Sequence, residues 1–162
     1  MTRIIALALA ATLAAPFSAS FAQAADDPNE ALVPGSIVEA GDMDLDGFLW
    51  LARPILVFAD TPADPRFQQQ LTMLESEIEM LADRDVVIIT DVDPDAAGPI
   101  RTRMRPRGFQ MVLVGKDGAV KLRKPFPYSV REITRTIDKT PLRQQEVRDR
   151  RALRHEEDAA RE

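Results

Sequence analysis

Two short, unbroken apolar runs, residues 55–59 and 86–89, separated by one amphipathic stretch of helical length, constrain this chain more than any other feature. A β-branched run of four or five residues with no polar alternation leaves no face for water, so each reads as a strand buried on both sides. Between them Phe67, Leu71, Leu74, Ile78 and Leu81 recur at spacings of three and four, the pattern of a helix with one apolar stripe. Asp64 is placed to cap that helix, Pro65 suits its first turn, and Arg84-Asp85 ends it. A strand, helix, strand unit of this length is a right-handed crossover between parallel strands.

The remainder extends the unit. Residues 96–104 can form one or two helical turns before Pro106-Arg107-Gly108. Residues 109–114 read as a third strand, Lys116-Asp117-Gly118 as a tight turn, and 119–123 as its antiparallel partner. Val130, Ile133 and Ile137 place a last amphipathic helix after Pro127. The order β, α, β, short α, β, β, α predicts a thioredoxin-like, three-layer α/β/α domain with a mixed central sheet over residues 48–140. A ferredoxin-like arrangement is the main competitor, but it expects an antiparallel sheet with every helix on one face.

The first 24 residues have another logic. Arg3 precedes an apolar run of about a dozen residues and then Ala22-Gln23-Ala24, the layout of a secretory signal peptide cleaved after Ala24. The alternative is an uncleaved anchor, for which the run falls short of the roughly 20 residues a spanning helix needs. Residues 25–47, small, acidic and turn-forming, read as a flexible leader. Residues 141–162 read as a charged tail, helical or disordered, more a mobile appendage than a binding device, with pairs such as Glu146 and Arg150 able to support a solvated helix. A periplasmic or secreted location follows, with no stable membrane insertion after cleavage.

Composition closes off several classes of chemistry. The sequence has no cysteine, so thiol nucleophiles, CxxC couples, iron–sulfur clusters and thiolate zinc sites are excluded. The one histidine, His155, lies in the charged tail, which argues against a Ser-His-Asp triad or a multi-histidine metal site. Acidic residues outnumber basic ones by 26 to 21, and this disfavours nucleic acid as a partner. No cofactor is called for.

Several stretches together resemble one known group: residues 53–59 with Asp64-Pro65-Arg66-Phe67 and Gln70; Arg84-Asp85-Val86-Val87; residues 113–118 with Val120-Lys121-Leu122-Arg123; and Ile137-Asp138 ahead of Pro141-Leu142-Arg143. They look like the uncharacterised peroxiredoxin-like domain that small exported bacterial proteins share with the extracellular sushi-repeat, equarin and DRO/URB proteins. The resemblance covers about residues 48–147 and implies a thioredoxin-like fold and export. It brings no established activity. The oxidoreductase activity suggested for the group does not carry over, because thioredoxins and peroxiredoxins place a reactive cysteine near the start of the helix after the first central strand. Residues 60–67, which correspond to that place, hold no sulfur, and Pro106 sits too early for the fold's cis-proline.

Without its thiol, that helix start could still hold an anion, with Thr61 donating a hydroxyl, Arg66 supplying a bidentate charge and Arg107 or Arg105 approaching from the loop before the third strand. The simpler reading pairs Arg66 with Asp60 or Asp64. Asp42-Met43-Asp44-Leu45-Asp46-Gly47 reproduces the opening of a calcium-binding loop, but Arg53 stands where a bidentate glutamate belongs, so a solvated acidic turn is preferred. Asp91, Asp93 and Asp95 read as another polar turn. Lys116, Lys121, Arg123 and Lys124 form a basic hairpin that either guards an exposed strand edge or docks an acidic partner, and Trp50 reads as a core contact. Two functions stay open: a non-catalytic binding or accessory module of the cell envelope with an envelope protein partner, and a cysteine-independent oxidoreductase or ligand-binding enzyme using the vacated site.

Overall fold

The computed structural model describes residues 33–161. In chain order these form β1 (Ile37–Glu39), a 3₁₀ turn (Leu45–Phe48), β2 (Arg53–Phe58), α1 (Pro65–Ser76), α2 (Ile78–Ala82), β3 (Val86–Asp91), α3 (Pro99–Met104), β4 (Gln110–Val114), β5 (Val120–Lys124), α4 (Val130–Asp138) and α5 (Pro141–Ala159). The sheet order is β1-β3-β2-β4-β5. β1, β3 and β2 run parallel, with Ile55 opposite Ile88, and β4 and β5 run antiparallel. This is the predicted thioredoxin-like architecture, with its mixed sheet between two helical layers.

The two apolar runs are continuous because both faces of β2 and β3 are covered. Ile55, Val57 and Ile88 point to Phe67, Leu74 and Leu81 of α1 and α2 and to Val130, Ile133 and Ile137 of α4. Leu56, Phe58, Val87 and Ile89 point the other way, to Ile100 and Met104 of α3 and to Leu45 and Phe48 of the 3₁₀ turn. Pro54 is tolerated in a central strand because it lies near its start, one residue before the β4 pairing begins at Ile55, a position where the missing N–H breaks no regular ladder.

Several details depart from the sequence reading. The expected single helix breaks at Glu77 into α1 and α2, and beyond the break Ile78 and Ala82 pack against Gly35. Gln70, one of the polar residues of the helix, is fully buried: its side chain donates to Tyr128 O at 3.1 Å and accepts from Tyr128 N at 2.7 Å, which fastens the approach to α4 onto α1. Residues 37–39, assigned to a flexible leader, form β1 instead and pair with β3. Residues 141–159 of the charged tail form α5, whose first turns are docked on the domain rather than mobile.

The expected signal peptide and the leader up to residue 32 lie outside the described residues. No helix among the described residues is long and apolar enough to cross a membrane.

Candidate functional site

Chemistry-bearing side chains gather at both ends of the sheet. At the carboxyl end of β2, Asp64 caps α1: Oδ1 accepts from the backbone N–H of Arg66 at 2.8 Å. The same carboxylate takes the Arg66 guanidinium through Nε at 3.1 Å and Nη2 at 2.8 Å. That side-chain bond, outweighing desolvation, holds the Asp64 carboxyl below the usual carboxylate range, and Asp64 raises Arg66 in return. Arg66 also lies over the Phe109 ring, 5.5 Å from its centroid.

Thr61 is exposed, and its Oγ1 accepts from Ala63 N at 3.3 Å within its own loop. Gly108, in the left-handed region, packs beside Asp60, so the loop bearing Arg107 runs alongside residues 60–64, and Arg107 itself is exposed. The three sequence-predicted residues therefore share one end of the molecule. The N-terminus of α1 already has an anion of its own in Asp64. Beneath this loop Arg101, buried and absent from the sequence expectations, donates Nε to Asp91 Oδ1 and Nη2 to the carbonyls of Ala59 and Asp91, all at 2.9 Å.

The opposite end holds an apolar cleft of about 260 Å³, walled by Trp50, Leu113, Ile137 and Leu142 with Arg53 and Lys116 among its polar lining. Trp50 is not the core contact its neighbours suggested: 66% of its surface is exposed. Its φ of 64° is a conformation that costs a bulky residue on the order of 1–3 kcal/mol and persists only where the surroundings enforce it. The constraint is visible, because Trp50 N donates to Lys116 O at 2.8 Å. Gly118, at φ 74°, closes the hairpin against Leu49, and an added Cβ would lie 2.8 Å from Leu49 Cδ2. In that hairpin Val114 faces Val120 while Leu113 faces Leu122, leaving Lys121 as the extra residue of a bulge, a device that re-aims side chains beside sites.

Behind the cleft lies a charge cluster that sequence reading missed. Arg53, 3% exposed, donates to Arg84 O at 2.8 Å and to Glu146 Oε1 at 2.9 Å. Lys116 bridges Asp85 at 2.8 Å and Glu146 at 3.0 Å, and Arg150 reaches Asp85 at 3.0 Å. Glu146 thus pairs with Arg53 and Lys116, not with Arg150 along its own helix. Desolvation pushes its carboxyl up, but the Arg53 and Lys116 bonds overcome that and leave it below the usual glutamate range. Lys116 belongs to this cluster rather than to a strand guard, while Lys121, Arg123 and Lys124 do lie on the edge strand β5. On the remaining candidate, Asp44 caps the 3₁₀ turn and Arg103 pairs with Asp46 at 2.9 Å, placing a cation in the acidic turn. Asp93 accepts from the backbone of Asp95 and Ala96 as a polar turn, whereas Asp91 is taken by Arg101.

Fold and site together define a thioredoxin-like domain without redox cysteines. The chain belongs to the family described as Domain of unknown function (DUF4174), whose model matches residues 44–146. No curated protein matches it. Among solved structures it is similar to the reduced 2-Cys peroxiredoxin of Plasmodium vivax, with 14% identity over 72% of this chain and 85% of that one and a TM-score of 0.49. It is also similar to the mitochondrial 2-Cys peroxiredoxin of Plasmodium falciparum, at 18% identity, 59% and 79% coverage and a TM-score of 0.45.

Proposed function

We propose that this protein is an exported, non-catalytic binding module of the cell envelope, kin to the small exported bacterial proteins and the extracellular sushi-repeat, equarin and DRO/URB proteins, and that its ligand enters the Trp50 cleft. The observation that carries this reading is the contrast between the two ends of the sheet. At the vacated thiol position Asp64 and Arg66 satisfy each other. At the other end an exposed tryptophan, its backbone held by the N–H bond to Lys116 O, stands at an apolar cleft. Apolar walls with a few convergent polar groups are the usual form of a small-molecule site. The cations of the lining are already paired, Arg53 and Lys116 with Glu146 and Lys121 with Asp117 at 2.6 Å, so the apolar walls carry the recognition and favour the chain of an amphiphile or a partner's apolar side chain.

Trp50 is the sole tryptophan, so its fluorescence reports on the cleft directly. Titration with decanoate is expected to shift the emission to the blue and to saturate, and Leu142→Asp is expected to abolish the response. A response lost in Thr61→Ala/Arg66→Gln but kept in Leu142→Asp would move the site to the vacated position and revive the enzyme reading. Export has its own test: the periplasmic fraction of expressing cells is expected to hold a form beginning at Ala25, and retention of an uncleaved cytoplasmic form refutes it.

A further inference from the structure

A second, unlike cleft of about 410 Å³ lies where α5 meets the end of α4 and the turn before β3, bordered by Arg84, Arg143, Arg148 and Arg151 with Asp138 as its one carboxylate. None of these residues lines the Trp50 cleft. In a chain of net charge −5, four guanidiniums converging on one acid make a local reversal of sign. Asp138 is already spent, since both its oxygens accept from Arg84 at 2.9 Å.

Arg143 is the informative member. Its side chain is 9% exposed, so its charge has lost most of its water, yet its donors are largely unused. Nη1 reaches Glu146 Oε2 only at 3.4 Å, and Nε is buried without any hydrogen-bond partner. Asp138 Oδ1 stands 3.8 Å from that Nε, beyond hydrogen-bond reach, and is engaged by Arg84. A buried charged donor left unmatched is costly, and its position in the first turn of α5 adds the positive end of a 19-residue helix. The arrangement lacks an acceptor with several oxygens and more than one negative charge.

We propose that this arginine cleft binds a phosphate-type oxyanion, either free or as the headgroup of an anionic lipid. The planar guanidinium fork of Arg143 matches two oxygens of one tetrahedral group. Arg84 stays on Asp138 as the rigid wall, and exposed Arg148 and Arg151 close over the anion from the next turns of α5. Arg148 now rests on Gln145 Oε1, at 2.7 Å from Nη2, a neutral acceptor that a dianion readily replaces.

The test uses inorganic phosphate at pH 8, with chloride matched for ionic strength, and follows thermal unfolding and amide NMR shifts of the full mature chain. Phosphate is expected to raise the midpoint saturably and to shift the amides of residues 141–151, which chloride does not. Arg148→Gln/Arg151→Gln, at exposed positions that leave the folded core intact, is expected to weaken binding at least about tenfold. A second arm uses sedimentation with phosphatidylglycerol vesicles against phosphatidylcholine controls. Co-sedimentation that the same double substitution abolishes assigns the anion to a lipid headgroup, whereas phosphate binding without it assigns a free anion. If neither probe binds, or if both bind the double variant as well as the parent, the proposal is overturned. Because Trp50 reports on the other cleft, failure here and failure there are read separately.

Discussion

Replacing Arg53 with alanine is expected to destabilise the domain by about 3–5 kcal/mol, the usual cost of removing one partner from a buried ion pair. The loss should appear in urea titrations as a fall in midpoint, with a decrease in Tm on the order of 10 °C. The reasoning lies in what is left behind. Without the guanidinium, Glu146 keeps only Lys116 and the long contact from Arg143, and the carbonyl of Arg84 loses its donor. Arg53→Lys can reach one of these acceptors but not both, so it should recover only part of the loss. Removing both charges in Arg53→Met/Glu146→Leu is expected to be milder than Arg53→Ala, since an apolar pair leaves no orphaned charge on that axis. A cost below about 1 kcal/mol for Arg53→Ala would mean that water reaches the pair and that α5 is not anchored through it.

The same cluster sets a pH dependence. In the unfolded chain Glu146 titrates near the ordinary glutamate value of 4.5, and in the folded protein it titrates lower. Its contribution to stability is therefore complete at neutral pH and is lost as pH falls from that ordinary value through the depressed folded one. Glu146→Gln should flatten this part of the acid limb of stability against pH, while its neutral-pH stability drops.

What the linear sequence revealed follows from what each element needs to fold. Strands β2, β3 and β4 and helices α1 and α4 bury apolar side chains at regular spacings, and those spacings are visible in one dimension. Strand β1 is too short to show a pattern: its three residues pair through backbone hydrogen bonds and only half-buried Val38 touches the core, so no apolar run marks them. The α5 anchor was hidden for another reason. Arg53, Asp85, Lys116 and Glu146 are scattered across 94 positions, and as isolated charges each has a simpler solvated reading. Trp50 misled because an aromatic beside Phe48 and Leu51 looks like core, whereas its left-handed backbone turns it outward. Pairing of Arg66 with a neighbouring aspartate was readable, because an N-cap at Asp64 places the two residues in one helical turn. The buried role of Arg101 was not, since its acceptors, Ala59 and Asp91, become neighbours only when β2 and β3 pair.

Arg101 accordingly yields the second large effect. Its side chain is 10% exposed, and it straps the carboxyl ends of β2 and β3 through three hydrogen bonds while lying 5.6 Å from the Phe58 ring centroid. Arg101→Ala leaves the Asp91 carboxylate buried and unpaired and the Ala59 carbonyl without this donor, a loss of about 3–4 kcal/mol. The damage should be local before it is global, because Ala59 is the last residue before the 60–64 loop. Amide exchange at residues 60–67 should accelerate by at least about tenfold, a change of about 1.4 kcal/mol in local opening, while the Trp50 cleft at the far end keeps its fluorescence response. Arg101→Lys should hold Asp91 but release the carbonyls, giving an intermediate stability. If the alanine variant instead melts with unchanged midpoint and unchanged exchange, the strap is dispensable, and the geometry of residues 60–67 is set by Asp64 and Arg66 alone.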